Sequence, residues 1–309
     1  MDTNTIQTML NRIRTNIQSV VIGQDKAIDL LLIGLVSRGH VLLEDVPGIG
    51  KTTLASALAK TLDLSFNRIQ FTPDVMPSDI TGFSMYNPKA GEFQFHEGAI
   101  MANLILADEI NRSSPKTQSS LLEAMQDRQV TVDGVSYPLP NPFMVVATQN
   151  AVEQIGTYPL PEAQLDRFMI KTHLRYPSTS EEVAIYQRHA GISPLESLEA
   201  QVSLDQVLQL QKEAIDVYLA PALYDYVARL VAKTRENPAV SLGVSPRGAL
   251  MPVQAAKGRA LLMGRDYCLP DDILFLAPYV LAHRMLLNSD NALAGRTSLD
   301  VLNEIIKST

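Results

Sequence analysis

Apolar residues over the first 176 positions come in short runs separated by helical stretches. HVLLED (40–45), SFNRIQF (65–71), ANLILADE (102–109), PFMVVATQ (142–149) and FMIKTHL (168–174) read as strands, several of them apolar on both faces. That pattern suits a parallel sheet covered by helices on each side. KTTLASALAKTL and SPKTQSSLLEAMQ, lying between strands, carry helical spacing. Strand and helix therefore alternate as in an α/β layered fold. Two segments interrupt the alternation. FSMYNPKAGEFQFHEGAI (83–100) turns at Asn-Pro-Lys-Ala-Gly, and QVTVDGVSYPL (129–139) alternates valines around Asp133-Gly134. Both predict β-hairpins.

Beyond about residue 178 the texture becomes helical. EEVAIYQRHA, LDQVLQLQKEAIDVYL, PALYDYVARLVAKTRE, SPRGALMPVQAAKGRALLMGR and PDDILFLAPYVLAHRML each repeat apolar residues at three- and four-residue spacing. Asn-Pro, Gly and Ser-Pro punctuate them. The expected architecture is an N-terminal helix and α/β core over residues 1–177, followed by a smaller all-α domain over residues 178–309, joined near YPSTSEE.

Composition narrows the classes. With 46% hydrophobic residues in 309, the chain can fill a large core, and 19% charged residues of both signs argue against disorder. A formal net charge of -7 offers no global basic surface to nucleic acid. One cysteine, Cys268, allows no internal disulfide and suits a reducing compartment; it is expected to be a small buried residue. The polar N-terminus lacks a signal-peptide core, and no uncharged apolar run reaches roughly 18 residues, so no membrane span and a soluble, cytoplasmic protein are expected. The five histidines are scattered without ligand-like spacing.

Candidate chemistry starts at EDVPGIGKTT (44–53). A phosphate-binding loop needs glycines where backbone N–H groups close on phosphate, a helix starting there, a lysine and a Mg²⁺-binding hydroxyl. HVLLED supplies the strand, Gly48 and Gly50 the close approach, Lys51 the cation and Thr52 the hydroxyl. Asp45 stands where the full pattern has its first glycine. A second strand ends in Asp108-Glu109, placing one carboxylate for the metal shell and one for the attacking water. A third delivers Asn150, an amide able to orient that water. Arg167 precedes the last strand of this half. Arg247 is expected in the first turn of a helix, with Ser245 as N-cap and Pro246 at the first helical position. A basic residue at a helix N-terminus suits a bound anion or a carboxylate partner.

With these pieces in place the sequence resembles a MoxR-family AAA+ ATPase. VIGQDKAIDLLLIGLVSRGHVLLEDVPGIGKT, RIQFTPDVMPSDITG, LILADEINRSSPKTQSSLLEAMQDRQVTVDG, FMVVATQN, YPLPEAQLDRF, VSPRGAL and PDDILFLAPYVLAHR carry the resemblance, in order, over nearly the whole chain. It implies an AAA+ P-loop core with a five-stranded parallel sheet and an all-α lid, binding ATP and Mg²⁺. Pro47, Gly48, Ile49, Gly50, Lys51, Thr52 and Thr53 then form the Walker A loop, in a family that tolerates Asp45. Asp108 and Glu109 form Walker B, with Thr52 and Asp108 toward the metal. Asn150 resembles sensor 1, Arg247 sensor 2, and Arg167 an arginine finger acting on a neighbour's ATP. Ile22, Gly23 and Gln24 correspond to the segment along the adenine. The hairpins match the helix-2 and pre-sensor-1 inserts that line the opening of related rings. Arg112 could reach across a subunit boundary or make a local ion pair.

A trans-acting Arg167 implies a homo-oligomer, a hexameric ring, and the family implies remodelling or metal-cofactor loading of a protein client, with partners bearing von Willebrand factor A domains. A nucleic-acid-stimulated motor subunit and a slow nucleotide-gated binding switch are the alternatives. The acidic balance counts against the first.

Overall fold

The computed structural model describes residues 2–44, 48–150, 156–189 and 194–309. Eleven strands are present among them. The central sheet uses β1 (Val41–Glu44), β2 (Phe66–Gln70), β5 (Leu104–Asp108), β8 (Met144–Gln149) and β9 (Ile170–Thr172). β3 (Gly82–Asn87) pairs with β4 (Glu92–Glu97), β6 (Gln129–Val132) with β7 (Val135–Pro138), and β10 (Val240–Leu242) with β11 (Leu286–Leu287). The five expected core strands and both hairpins form where the hydrophobic pattern places them.

Sheet order is β2-β5-β8-β1-β9, with every pairing parallel. Side chains alternate between two cores, as the period of two demands. Val41, Leu43, Leu104, Leu106, Met144 and Val146 face one core, while Leu42, Ile105, Ala107, Val145 and Ala147 face the other. The second core is closed by the helix Pro115–Asp127. The first is closed by Thr3–Gln18, Asp25–Val36 and Lys51–Thr61, and runs on without a break into helices Leu204–Asp216, Pro221–Glu236, Met251–Leu262, Pro270–Val280 and Ser298–Lys307. The change of sequence texture near residue 178 is thus not a break in the apolar packing. Cys268 is buried, as expected, and burial pushes its thiol up to about 11.

Docking of the helical half is specific. Gln211 Nε2 donates to Leu35 O (2.8 Å) and Ser37 Oγ to Gln254 O (3.1 Å), both at the end of helix Asp25–Val36. Gly258 lets helix Met251–Leu262 approach there, because a Cβ would strike the Ser37 hydroxyl. Helices Leu204–Asp216 and Met251–Leu262 therefore pack by the amino-terminal edge of β1.

His40, just before β1, is fully enclosed. Its Nδ1 accepts from Val145 N (3.0 Å), which leaves Nε2–H to donate to Met125 O (3.2 Å). Burial, ahead of any other influence, holds its pKa down at about 4. The folded state keeps the ring neutral while the unfolded chain protonates near its ordinary value. Stability from this group is complete above about pH 6.5 and is lost as pH falls toward 4. His283, half-buried and lowered chiefly by desolvation and then by Arg284, acts in the same direction. Urea unfolding between pH 6 and 5 should show a loss of about 1.2 kcal/mol from His40 alone. A His40→Gln variant should remove that share of the slope; an unchanged slope would show that His40 does not titrate this way.

Candidate functional site

Helix Lys51–Thr61 begins immediately after Gly50, and Leu54 N bonds Gly50 O at 2.9 Å. Gly48 and Gly50 take left-handed φ values of 86° and 90°, a region costly for a side chain. Among the described residues, a Cβ built on either would meet no atom within 4 Å beyond its chain neighbours, which leaves open space of the kind an anion fills. Lys51 is buried at the helix start, while Thr52 and Thr53 are half-buried on its first turn. Asp45 and Pro47 lie outside the described residues, and with them the roles expected at those positions.

The acids stand beside this loop because β5 and β8, like β1, end at the carboxyl edge. Asp108 is 8% exposed, and both its oxygens are engaged. Oδ1 accepts from Thr148 Oγ1 (2.7 Å), and Oδ2 accepts from Arg68 Nη2 (2.7 Å) and Nε (3.2 Å). Glu109 has φ 56°, ψ 48°, left-handed for a residue with a full side chain. Such conformations cost of order 1–3 kcal/mol and persist where surroundings enforce them. Here Glu109 N donates to Thr148 Oγ1 (2.8 Å), while Glu109 Oε2 accepts from Gln70 Nε2 (3.0 Å) and Arg112 Nη1 (3.1 Å). The constrained backbone turns the carboxylate out of the strand direction. Of the two alternatives for Arg112, the structure shows the local ion pair. Asn150 follows β8 and is 5% exposed.

A cleft of about 410 Å³ adjoins the loop, lined by Ile22, Gln24, Gly48, Ile49, Gly50 and Thr53, and by Tyr176, Glu182, Ile185 and Tyr186 from the far side. It is large enough for a small ligand. Gln24 is anchored at both ends of its amide: Nε2 donates to Arg175 O (2.7 Å) and Oε1 accepts from Arg175 N (3.3 Å). Gly23 lies against the Glu181 carboxylate. Arg175 and the Ser178 N–H hold that carboxylate down at about 2.

Arg167 and Arg247 are not part of this cluster. Arg247 Nη1 donates to Gln126 Oε1 (3.0 Å), near the end of helix Pro115–Asp127. Arg247 also acts electrostatically on His40, which precedes β1. Both features belong to the amino edge of the sheet, whereas the loop leaves the carboxyl edge. The four residues of β1 separate the two by about 13 Å at ~3.3 Å per residue. Arg167 lies beside Arg247: desolvation first, then Arg247, lowers its pKa, against Asp127 and Glu123. Neither guanidinium has an ion pair within 4 Å among the described residues. The local setting of Arg247 also departs from expectation. Ser245 Oγ does cap, accepting from Gly248 N at 2.8 Å, but it caps a 3₁₀ turn, Gly248–Leu250, and the α-helix starts at Met251. Pro252 has no N–H to give Gly248 O, so Met251 N takes it in the tighter spacing.

Sequence reasoning missed Arg68, Gln70 and Thr148 as partners of the acids, and Tyr176, Glu182, Ile185 and Tyr186 in the cleft. The signal available for the first group was strand alternation. Arg68 and Gln70 are two apart and share a face of β2, next to β5.

The chemistry of the loop and acids suits a divalent cation. Thr52 hydroxyl and Asp108 carboxylate are hard oxygen donors, and Asp108 Oδ2 already holds a cationic partner in Arg68. No group of three or more His, Cys, Asp or Glu converges among the described residues.

A five-stranded parallel sheet of this order, an open glycine loop at a helix start and paired acids on the next-but-one strand define a P-loop nucleotide-binding ATPase of the AAA+ class. Residues 40–170 match the ATPase family associated with various cellular activities (AAA), and residues 232–305 match the AAA lid domain. The chain is 48% identical to Uncharacterized protein YeaC of Bacillus subtilis, over 96% of this chain and 93% of that one. It is 42% identical to Chaperone MoxR1 of Mycobacterium tuberculosis, over 96% of this chain and 81% of that one. A crystal structure from Cytophaga hutchinsonii, assigned as an ATPase, superposes with a TM-score of 0.93 at 41% identity, covering 99% of this chain and 96% of that one. The chain belongs to the MoxR family of AAA+ ATPases. Among the described residues, no helix is long and apolar enough to cross a membrane.

Proposed function

We propose that this chain hydrolyses ATP with Mg²⁺ as part of a homo-oligomeric, hexameric ring, and uses the cycle for chaperone-like remodelling or metal-cofactor loading of a protein client. The observation that carries the reading is a divided site. Loop, lysine and acids gather at one edge of the sheet, and two arginines with no ion-pair partner among the described residues gather at the other. In such a site Gly48, Ile49, Gly50, Lys51 and Thr53 cradle and neutralise the phosphates, and Ile22, Gly23 and Gln24 border the adenine in the adjoining cleft. Thr52 and Asp108 would hold Mg²⁺, whose chemistry is to neutralise charge on the transferring phosphoryl group. Arg68 holds Asp108 in place through its Oδ2. Glu109 takes the proton of the attacking water, and Asn150 orients that water.

Arg167 and Arg247, at the opposite edge, serve the nucleotide of the adjacent subunit, where transition-state charge calls for cations. Residues 1–177 then form the catalytic core and 178–309 the lid. The two hairpins face the client, and a partner with a von Willebrand factor A domain fits the same reading. Lysosomal, secreted or membrane-spanning roles gain no support from the composition; the reading keeps the protein in the cytoplasm.

The test is Mg²⁺-dependent ATP turnover measured against protein concentration, with Lys51→Ala as control. Specific activity should climb with concentration as rings assemble and vanish in the control. Activity that survives Lys51→Ala would remove the loop from the chemistry. Activity of an isolated monomer, verified by sizing, would remove the ring.

A further inference from the structure

Asp166 lies immediately before Arg167, and its carboxylate joins three elements. Oδ2 accepts from Ser245 Oγ (2.8 Å), and Oδ1 accepts from Arg284 Nε (2.8 Å). Ser245 in turn caps the Gly248 N–H of the turn that follows Arg247. Asp166 therefore ties the segment carrying Arg167 to the segment carrying Arg247.

Arg284 closes the knot from inside. Its side chain is 1% exposed. Nη2 donates to Asp166 O (3.1 Å) and Phe168 O (2.7 Å), and Nη1 to Met169 O (3.4 Å) and Val280 O. The carbonyls on both sides of Arg167 are thus held by one buried guanidinium from the helical half. Gly248 completes the fit: a Cβ there would lie 2.7 Å from Arg284 Cδ and 3.0 Å from Asp166 Oδ1. The residue after Arg247 must approach the knot as closely as glycine allows.

A buried ion pair is weak support for stability, because desolvation offsets much of its attraction; its better-attested use is to fix one geometry among several. The geometry fixed here has an outcome at the surface. Arg167 and Arg247 are brought close enough to repel, and neither has an acid within ion-pairing distance among the described residues. Two like charges are held together by bonds that involve neither of them. Such an arrangement is preorganised for an anion.

We propose that Asp166, Ser245 and Arg284 are positioning residues that lock Arg167 and Arg247 into one two-arginine unit, preset for the nucleotide phosphates of the adjacent subunit. The proposal rests on the trans-acting role argued above for the two arginines. It adds that the helical half, through Arg284 and Ser245, sets where the arginine finger stands, so lid and finger move as one body.

The experiment compares Asp166→Asn and Ser245→Ala with Arg167→Ala as reference, each alone and mixed in equal parts with Lys51→Ala subunits. Ser245→Ala leaves the buried Arg284–Asp166 pair intact, so it decides the matter if Asp166→Asn fails to fold. Each variant should lose turnover at saturating ATP by about tenfold or more, with its half-saturating ATP concentration unchanged. Mixing should restore activity that neither partner has alone, because Lys51→Ala subunits still present an intact arginine unit to a neighbour's intact loop. Wild-type turnover in the folded variants overturns the proposal. So does a loss that mixing fails to restore when Arg167→Ala is restored, since the defect would then lie in the variant's own nucleotide site. Failure of Arg167→Ala itself to be restored overturns the trans-acting reading, and the knot's proposed purpose with it; the reference variant reveals which has failed.

Discussion

A Glu109→Gln variant should bind ATP as tightly as the wild type and turn it over about 10²–10⁴-fold more slowly, the range expected when a general base is lost. The substitution is nearly isosteric, and the backbone of Glu109 is held by its own N–H on Thr148 rather than by the carboxylate. An amide oxygen can still accept from Arg112 and Gln70, so the left-handed turn should persist. Asp108, Lys51 and the glycine loop are untouched, which preserves binding. Phosphate release under saturating ATP, set beside fluorescent-nucleotide titration, separates the two quantities. Undiminished turnover would remove Glu109 as the base. Loss of binding and turnover together would show that the carboxylate shapes the nucleotide site instead.

The parts of this site that could be read from sequence are those whose neighbours are close in the chain. Gly48, Gly50, Lys51 and Thr52 fall within five consecutive positions where one strand gives way to one helix, so the local pattern contains the geometry. Asp108 and Glu109 were legible because an apolar strand ends abruptly in two acids. The hairpins were legible because period-two alternation around Asp133-Gly134 has few other solutions. Arg68 and Thr148 were not. They reach Asp108 from opposite sides, β2 and β8, only because β5 lies between those strands, and the order of strands is not written in any one of them.

Arg247 shows the same limit on a larger scale. Helical periodicity in the last third of the chain marks which faces are apolar but not which helix they will cover. Here helix Met251–Leu262 packs on the end of helix Asp25–Val36, through Gly258 and the Ser37–Gln254 bond. That choice carries Arg247 to the amino edge, away from its own loop. The sensor 2 resemblance names Arg247 without saying which edge of the sheet it reaches, and a local cap argument cannot tell one edge from the other.

The position of the arginines sets the second large effect. In an Arg167→Ala variant, turnover should fall by about 10³-fold or more, as for other cations that reach a nucleotide across a subunit boundary, while ATP affinity of the dilute protein stays at the wild-type value. Affinity is spared because the loop and cleft lie at the other edge of the sheet and include no atom of Arg167. Folding should be spared as well: the side chain is half-buried and makes no ion pair within 4 Å among the described residues, and the carbonyls on either side of it are held by Arg284. Ring assembly, followed by light scattering on the same samples, has to remain intact for the comparison to stand. Arg247→Ala should change turnover in the same direction by less, since Arg247 is exposed and already shared with Gln126. Weaker ATP binding by the Arg167→Ala monomer would place the residue at its own nucleotide, against the geometry seen here. Wild-type turnover in intact rings would leave the arginine pair without a part in hydrolysis, and its closely held charges would then need an anion of another kind.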